Sequence, residues 1–266
     1  MISEYPLVSI ITIVYNDVLK IEKTIQSVIN QTYNNIEYII IDGASTDGTV
    51  NIIEKYNKQI TYWTSEPDSG IYNAMNKGIT QSKGDYIMFL NSGDELFESQ
   101  SIHKIVSQAD NLDIVYSNIK MINKNKSYIK ESPEKLTFQY FTHNAIPHPA
   151  TLIKSNLFNS VGFYDESLKI VSDWKWFMIA ICKIDATYKK TNILAAKFYE
   201  DGISSNEKHR TVLEKERENV LKSDFPLYFE DYQRLNKYDL IIYKINIFKR
   251  IANLYKRKFH KTYKRI

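Results

Sequence analysis

A chain of 266 residues that is 43% apolar, with 20 Tyr and 12 Phe, holds enough bulk for one large packed domain or two small ones. Its lone Cys182 excludes an intrachain disulfide and any cysteine-cluster metal site, and no apolar run reaches the roughly 18 residues that span a bilayer. The net charge of +4 is uneven: residues 240–266 carry nine of the 35 Lys and Arg and no acid, which leaves 26 basic against 31 acidic residues in 1–239, a net of −5, and excludes a uniformly basic, nucleic-acid-type surface.

Leu7 to Val14 is β-branched and almost wholly apolar, the pattern of a buried first strand, and Tyr15-Asn16-Asp17 ends it. Ile21, Ile25, Val28 and Ile29 then share one face at helical spacing. A second apolar run, Ile36 to Ile41, closes on Asp42-Gly43-Ala44-Ser45-Thr46-Asp47-Gly48, where Ser45, Thr46 or Asp47 caps a helix through Val50, Ile53 and Tyr56. A shorter strand, Ile60 to Thr64, leads into Ser65-Glu66-Pro67-Asp68-Ser69-Gly70, and the helix after it sets Ile71, Ala74, Met75, Gly78 and Ile79 on one face. Tyr86 to Leu90 reads as a central strand that breaks at Ser92-Gly93 and presents Asp94 and Glu95.

Four strands alternating with three helices predict an α/β fold with a doubly wound sheet. Ligands of such sheets collect beyond the carboxyl ends of the strands, so Asn16, Asp17, Asp42, Asp68, Asn91 and Asp94 are predicted to share one edge. Neither a Gly-x-Gly-x-x-Gly turn nor a Walker loop follows the first strand, so side-chain carboxylates, with or without a metal, must handle any nucleotide.

Beyond residue 96, Ile102 to Gln108 reads as a helix and Ile114 to Met121 as a strand that returns to Ile129. Pro147-His148-Pro149-Ala150 is a rigid loop, since each proline restricts itself and its predecessor. Val171 to Ile184 is a helix with Trp174, Phe177, Met178 and Ile181 inward, Ser172 at its N-cap and Asp173 in its first turn; Asp201 to Asn206 is a loop. From about residue 240, Ile241, Ile245, Phe248, Ala252, Tyr255 and Phe259 oppose Asn246, Lys249, Arg250, Asn253, Lys256 and Arg257, the two faces of a helix lying on an anionic membrane surface. A helix packed on the body, or a homodimer contact, is the alternative. Met1-Ile2-Ser3-Glu4 lacks the features of a signal peptide, so the expected location is cytoplasmic, peripheral on the inner face of the cell membrane.

Several motifs carry a resemblance: Val8-Ser9-Ile10-Ile11-Thr12, Asn30-Gln31-Thr32-Tyr33, Ile41 to Thr49, Glu66 to Gly78, and Phe89-Leu90-Asn91-Ser92-Gly93-Asp94. Together they resemble a family 2 glycosyltransferase of the GT-A fold, of the kind that builds bacterial capsule, exopolysaccharide or lipopolysaccharide. His148-Pro149-Ala150, Gly162-Phe163-Tyr164-Asp165, Ser172-Asp173-Trp174 and Gly202-Ile203-Ser204-Ser205 match more loosely. The resemblance implies a GT-A-type doubly wound, mostly parallel sheet flanked by helices, with a C-terminal helical extension. Residues 1–222 are the expected catalytic domain, with a nucleotide-sugar half (1–96) and an acceptor half (97–222), and 223–266 the basic extension. The implied activity is inverting transfer of a hexose or N-acetylhexosamine from a UDP-sugar to a hydroxyl of a lipid-linked glycan. The rivals are a sugar nucleotidyltransferase and a non-catalytic sugar-nucleotide-binding or scaffold subunit; nucleic acid is not an expected partner.

Asp42, at a strand end, either accepts the N3–H of a uracil or caps the following turn. Asp68 is second in the nucleotide pocket or a turn former after Pro67, and Lys77 meets a phosphate or lies on a solvated helix face. Asn16 and Asn91-Ser92-Gly93 complete the nucleotide-sugar side. Mn2+ or Mg2+ would stabilise the leaving diphosphate, with Asp94 as its ligand and Glu95 and His148 as supplements. The family's usual motif has two acids around one residue, and Asn91-Ser92-Gly93-Asp94 keeps only the last. Asp173 matches the family's base position, in a first turn where the helix dipole favours an anion. Trp174 and His148 are the expected acceptor contacts, with a core role as the alternative for the tryptophan and a structural one for the histidine.

Overall fold

Val8–Val14 (β1) has no polar face to offer water, and all seven of its residues are buried. The computed structural model describes residues 5–123, 126–200, 209–235 and 237–238. Ile36–Asp42 (β2) and Tyr86–Phe89 (β4) pair parallel with β1 on either side, and Tyr62–Ser65 (β3) pairs parallel with β2. The crossovers are Ile21–Ile29 (α1), Thr49–Lys55 (α2) and Ile71–Gln81 (α3). α1 buries Ile21, Ile25 and Val28, each contributing about 1.5–3 kcal/mol relative to exposure. Thr12 Oγ1 donates to the Leu90 carbonyl at 2.8 Å, which fixes the end of β4 against β1.

The sheet continues through Glu95–Leu96 (β5), Ile114–Ile122 (β6), Ser127–Lys130 (β7), Thr151–Lys154 (β8) and Tyr188–Tyr199 (β9). Its order is β3-β2-β1-β4-β8-β6-β9-β5, with β7 on β6. The first four strands are parallel, as is the β6–β9 pair, and the other contacts are antiparallel. Helices Ser101–Val106 (α4), Phe138–His143 (α5), Leu157–Val161 (α6), Ser172–Cys182 (α7) and Arg210–Asp224 (α8) complete the described elements, with a further helical stretch over 226–235. The doubly wound α/β architecture expected from the sequence is the one observed. β5, β8 and β9 have no counterpart in the periodicity. β9 mixes Lys190, Thr191 and Asn192 with Ile193, Leu194 and Ala195, and its burial does not alternate cleanly.

Two cap assignments are corrected. α7 begins after Val171, and Ser172 is its first residue, with a buried hydroxyl that meets no hydrogen-bond partner among the described residues. α2 begins after Gly48, held at φ 100°, while Asp47 accepts from the Thr49 N–H at 3.0 Å. The rigid Pro147–Ala150 segment is a single 3-10 turn over His148–Ala150. The chain divides into two compact units, Met1–Arg217 and Glu218–Ile266. The expected loop at 201–206 and the amphipathic basic helix from residue 240 lie outside the described residues. Among the described residues no helix is long and apolar enough to cross a membrane.

Candidate active-site cleft

Strand order reverses between β1 and β4, and an open cleft of about 580 Å³ lies beyond their carboxyl ends. Asn16, Asp17, Lys20, Asp68, Asp94, His148, Lys169, Asp173 and Tyr199 line it, with Asn91-Ser92-Gly93. The edge read from the strand ends is therefore assembled, with one exception.

That exception is Asp42, fully buried and absent from the cleft wall. Its Oδ2 accepts from the Ser45 N–H at 2.8 Å and from Ser65 Oγ at 2.6 Å, and its Oδ1 from Ser45 Oγ at 2.5 Å. In this arrangement the carboxylate caps the turn, as the second of its two expected roles has it. Asn16, at φ 50°, joins the β1 end to the same loop: its N–H donates to Ser45 Oγ and its Oδ1 accepts from the Thr46 N–H. Asp68 does face the cleft, with Oδ1 on the Gly70 N–H at 2.9 Å. A Cβ on Gly43 would come within 2.6 Å of Asp68 Oδ2, so the glycine makes room for this carboxylate. Lys77 is elsewhere: its Nζ meets Glu66 Oε1 at 2.7 Å and the Pro67 carbonyl at 3.0 Å, which removes it as a phosphate ligand in this arrangement.

The turn after β4 is clasped by the segment leading into α1. Ser92 Oγ donates to Asp17 Oδ2 at 2.7 Å, and Thr24 Oγ1 accepts from the Gly93 N–H at 3.0 Å and donates to the Asp94 carbonyl at 2.7 Å. Asp94 is 7% exposed, and Asn91, three residues before it, has a buried Oδ1 without a hydrogen-bond partner among the described residues. Glu95 is not a supplementary ligand. Burial works against its charge, but Lys197 at 2.8 Å and the Tyr199 hydroxyl at 2.8 Å more than offset that and hold its pKa below the usual range.

Across the cleft, Asp173 stands in the first turn of α7. Its Oδ1 accepts from the Tyr72 hydroxyl at 2.8 Å, and its Oδ2 is 3.9 Å from His148 Nδ1, too far for a hydrogen bond. Burial, and then the charge of Asp173, hold the Tyr72 phenol well above its ordinary pKa, so it remains a donor. Burial lowers the His148 pKa against the pull of Asp173, and its Nε2 pairs with the Tyr164 hydroxyl at 2.9 Å. His148 stands in the cleft wall beside Asp173, with its Nε2 engaged by Tyr164. Trp174 is corrected as an acceptor contact: it is 1% exposed, donates its indole N–H to the Phe141 carbonyl at 2.7 Å, and carries the Arg217 guanidinium 5.0 Å from its ring centroid.

Tyr72, Lys20, Lys169 and Arg217 escaped the sequence reading, whereas Asp17 stands on the edge predicted for it. Tyr72 had a signal, because it lies in the Ile71-to-Gly78 helix beside Asn73 and Asn76. Those two asparagines donate to the two oxygens of Glu166 at 2.9 and 2.8 Å, so one polar face of α3 clamps the loop ahead of α7.

The sequence pattern of glycosyl transferase family 2 matches residues 9–167. The chain belongs to that family. An uncharacterised glycosyltransferase of Rickettsia typhi is 33% identical to this chain over 214 residues, which are 76% of the chain and 66% of the relative. The PGL/p-HBAD biosynthesis glycosyltransferase of Mycobacterium bovis is 25% identical over 217 residues, 79% of this chain and 82% of that one. The chain thus spans just under two thirds of the length of the Rickettsia relative. Among solved structures, S. aureus TarS 1–349 in complex with UDP-GlcNAc superposes with a TM-score of 0.63 at 19% identity, covering 81% of this chain and 70% of that one. A mannosyltransferase of Pyrobaculum calidifontis in complex with GDP-Man and Mn2+ gives 0.57 at 14% identity, covering 73% and 56%. These two likenesses identify the fold as GT-A.

The protein donor set for a divalent cation is sparse, and at a nucleotide site such an ion takes one or two carboxylates plus substrate phosphates. The 91–94 turn offers one carboxylate of its own, Asp94, with Asp17 bonded to Ser92 beside it; Glu95 is engaged by Lys197 and Tyr199, and Asn91 Oδ1 is shut away from solvent. Among the described residues no three His, Cys, Asp or Glu side chains are grouped to hold a metal ion.

Proposed function

We propose that the protein is an inverting glycosyltransferase that moves a hexosyl or N-acetylhexosaminyl group from a UDP-sugar to a hydroxyl of a lipid-linked glycan. The observation that carries this reading is Asp173. It is a carboxylate held by a neutral phenol at 2.8 Å, 25% exposed at the side chain, in the same cleft as Asp68 and Asp94. In the proposed reaction Asp173 takes the proton of the acceptor hydroxyl while that oxygen attacks the anomeric carbon. Attack comes from the face opposite the departing UDP, so configuration inverts and no covalent intermediate forms. Asp68 is the donor-side carboxylate in place of the buried Asp42. The UDP-GlcNAc complex of TarS supports a uridine donor, by likeness of fold alone.

A donor screen by nucleotide release from the full chain tests this. UDP-sugars are expected to turn over well ahead of GDP- and TDP-sugars, and release from a GDP-sugar alone would overturn the donor assignment. Attachment to an anionic membrane rests on the basic segment 240–266. In liposome flotation at low salt, the full chain should float with anionic vesicles and a chain ending at Asp239 should not. Equal behaviour of the two would remove the membrane role.

A further inference from the structure

We propose that Arg217 and Lys130 hold a phosphate group of the acceptor on the side of the cleft where Asp173 stands. The inference rests on the lipid-linked-acceptor reading and adds its chemistry: the lipid is joined to the glycan through phosphate. Arg217 reaches this place because α8 docks on the segment that leads into α7. Glu216, its neighbour, accepts from the Lys169 N–H at 2.7 Å and from the Ile170 N–H at 3.0 Å. The Arg217 guanidinium then lies 5.0 Å from the ring centroid of Trp174, the residue after Asp173. Among the described residues that guanidinium makes no hydrogen bond or ion pair, and its Nε is buried without a partner. Lys130, at the end of β7, is half-buried, and its ammonium likewise has no hydrogen bond or ion pair among the described residues.

The two cations act on each other. Burial, and then the Arg217 charge, lower the Lys130 pKa against the pull of Glu200, and burial lowers that of Arg217 against the pull of Asp173. The acids around them are engaged elsewhere. Glu200 accepts from Asn123 Nδ2 at 2.6 Å and from the Tyr128 hydroxyl at 3.0 Å, Glu216 holds the two backbone N–H groups, and Asp173 takes the Tyr72 hydroxyl. Half-buried like charges without a hydrogen-bonded anion cost free energy until one joins them. Two further buried groups without a partner among the described residues, Ser132 Oγ and Ser172 Oγ, lie on the segments that carry Lys130 and Asp173. Unmet donors on the same segments as unmet cations call for an anion rich in acceptor oxygens. A phosphate is one: arginine meets it with two parallel N–H groups and lysine as a point charge. The donor's diphosphate does not fill this role. UDP departs from the face opposite Asp173, whereas an anion at Arg217 lies on the side of the base, from which the acceptor comes.

Calorimetric titration of the full chain, first saturated with UDP, with farnesyl diphosphate and with farnesol tests the proposal. Salt at about 0.3 M screens loose contacts with the basic tail. Wild type should bind the diphosphate about tenfold more tightly than the alcohol, or better. Arg217→Gln should weaken the diphosphate by about tenfold, as loss of a charged hydrogen bond implies, and leave farnesol unchanged. Arg217→Lys should fall between the two. Lys130→Gln removes a like charge, so it should fold at least as well as wild type and still weaken the diphosphate, which keeps the test decisive if Arg217→Gln melts early. Wild type that binds the diphosphate no better than the alcohol would overturn the proposal, as would either folded Gln variant binding it normally. Phosphatidylglycerol vesicles separate a membrane headgroup from the acceptor. Arg217→Gln should float with them as wild type does, and a variant that loses the vesicles but keeps the farnesyl diphosphate would overturn the assignment to the acceptor. UDP binding is read first, so a chain that binds no UDP brings down the uridine-donor reading alone, and the titration without UDP still decides the Arg217 site.

Discussion

Asp173→Asn should lower turnover by about 10²–10⁴, the usual range for loss of a general base, while donor affinity changes little. Asparagine matches aspartate in shape and still presents an oxygen to the Tyr72 hydroxyl, whose hydrogen bond to Oδ1 is 2.8 Å long. What it loses is the negative charge that takes the acceptor proton. Nothing on the donor side depends on that charge: Asp68 is held by the Gly70 N–H, and Asp94 belongs to a turn clasped by Thr24. Tyr72→Phe is the companion measurement. It keeps Asp173 and removes the hydrogen bond that orients it, so kcat should fall by about tenfold with the donor KM unchanged. Steady-state kinetics with an identified donor and acceptor reads both. An Asn variant that retains more than about a tenth of wild-type turnover would show that another group removes the proton.

How legible this site was depended on the kind of physical signal each residue leaves. Val8 to Val14, Ile36 to Ile41 and Tyr86 to Leu90 are uninterrupted apolar runs ended by turn residues, and such runs have few uses besides central strands. Once they are parallel neighbours, their carboxyl ends must converge, so the edge carrying Asn16, Asp68 and Asp94 could be read before any coordinates. Which way each side chain turns there could not. Asp42 and Asp68 both follow a strand and precede a small-residue turn, yet one is closed over by Ser45 and Ser65 and the other faces the cleft. Trp174 follows Asp173 directly, and a helix sends neighbours to different faces, so the carboxylate lines the cleft while the indole enters the core. Glu95 is one residue past Asp94, and the two-residue strand it opens turns it toward Lys197 and Tyr199. Lys20 and Tyr72 reach the site from the starts of helices otherwise read only for their apolar faces.

The same contrast predicts a stability effect where a binding effect was expected. Asp42→Ala should destabilise the fold by about 3 kcal/mol, near the upper end for a buried charged group that leaves its partners unmade. The carboxylate is fully buried and accepts three hydrogen bonds, from the Ser45 N–H, Ser45 Oγ and Ser65 Oγ, at 2.5–2.8 Å. Truncation strands those three donors where water does not replace the lost oxygens. It also releases the loop in which Ala44 sits at φ 63°, a conformation unfavourable for a residue with a side chain unless its surroundings impose it. Ser45 in turn accepts from the Asn16 N–H at 2.7 Å, so loosening it frees the end of β1. Asp42→Asn should recover part of the loss, because its oxygen can keep one or two of the three bonds. Urea unfolding followed by circular dichroism gives the stability of all three proteins, and UDP titration below the transition gives binding separately. The expected outcome is a lowered unfolding midpoint for Asp42→Ala with uridine still bound by the folded fraction. An unchanged midpoint with uridine affinity lost would return Asp42 to the base-reading role and make its bonds to Ser45 and Ser65 a resting arrangement that the donor displaces.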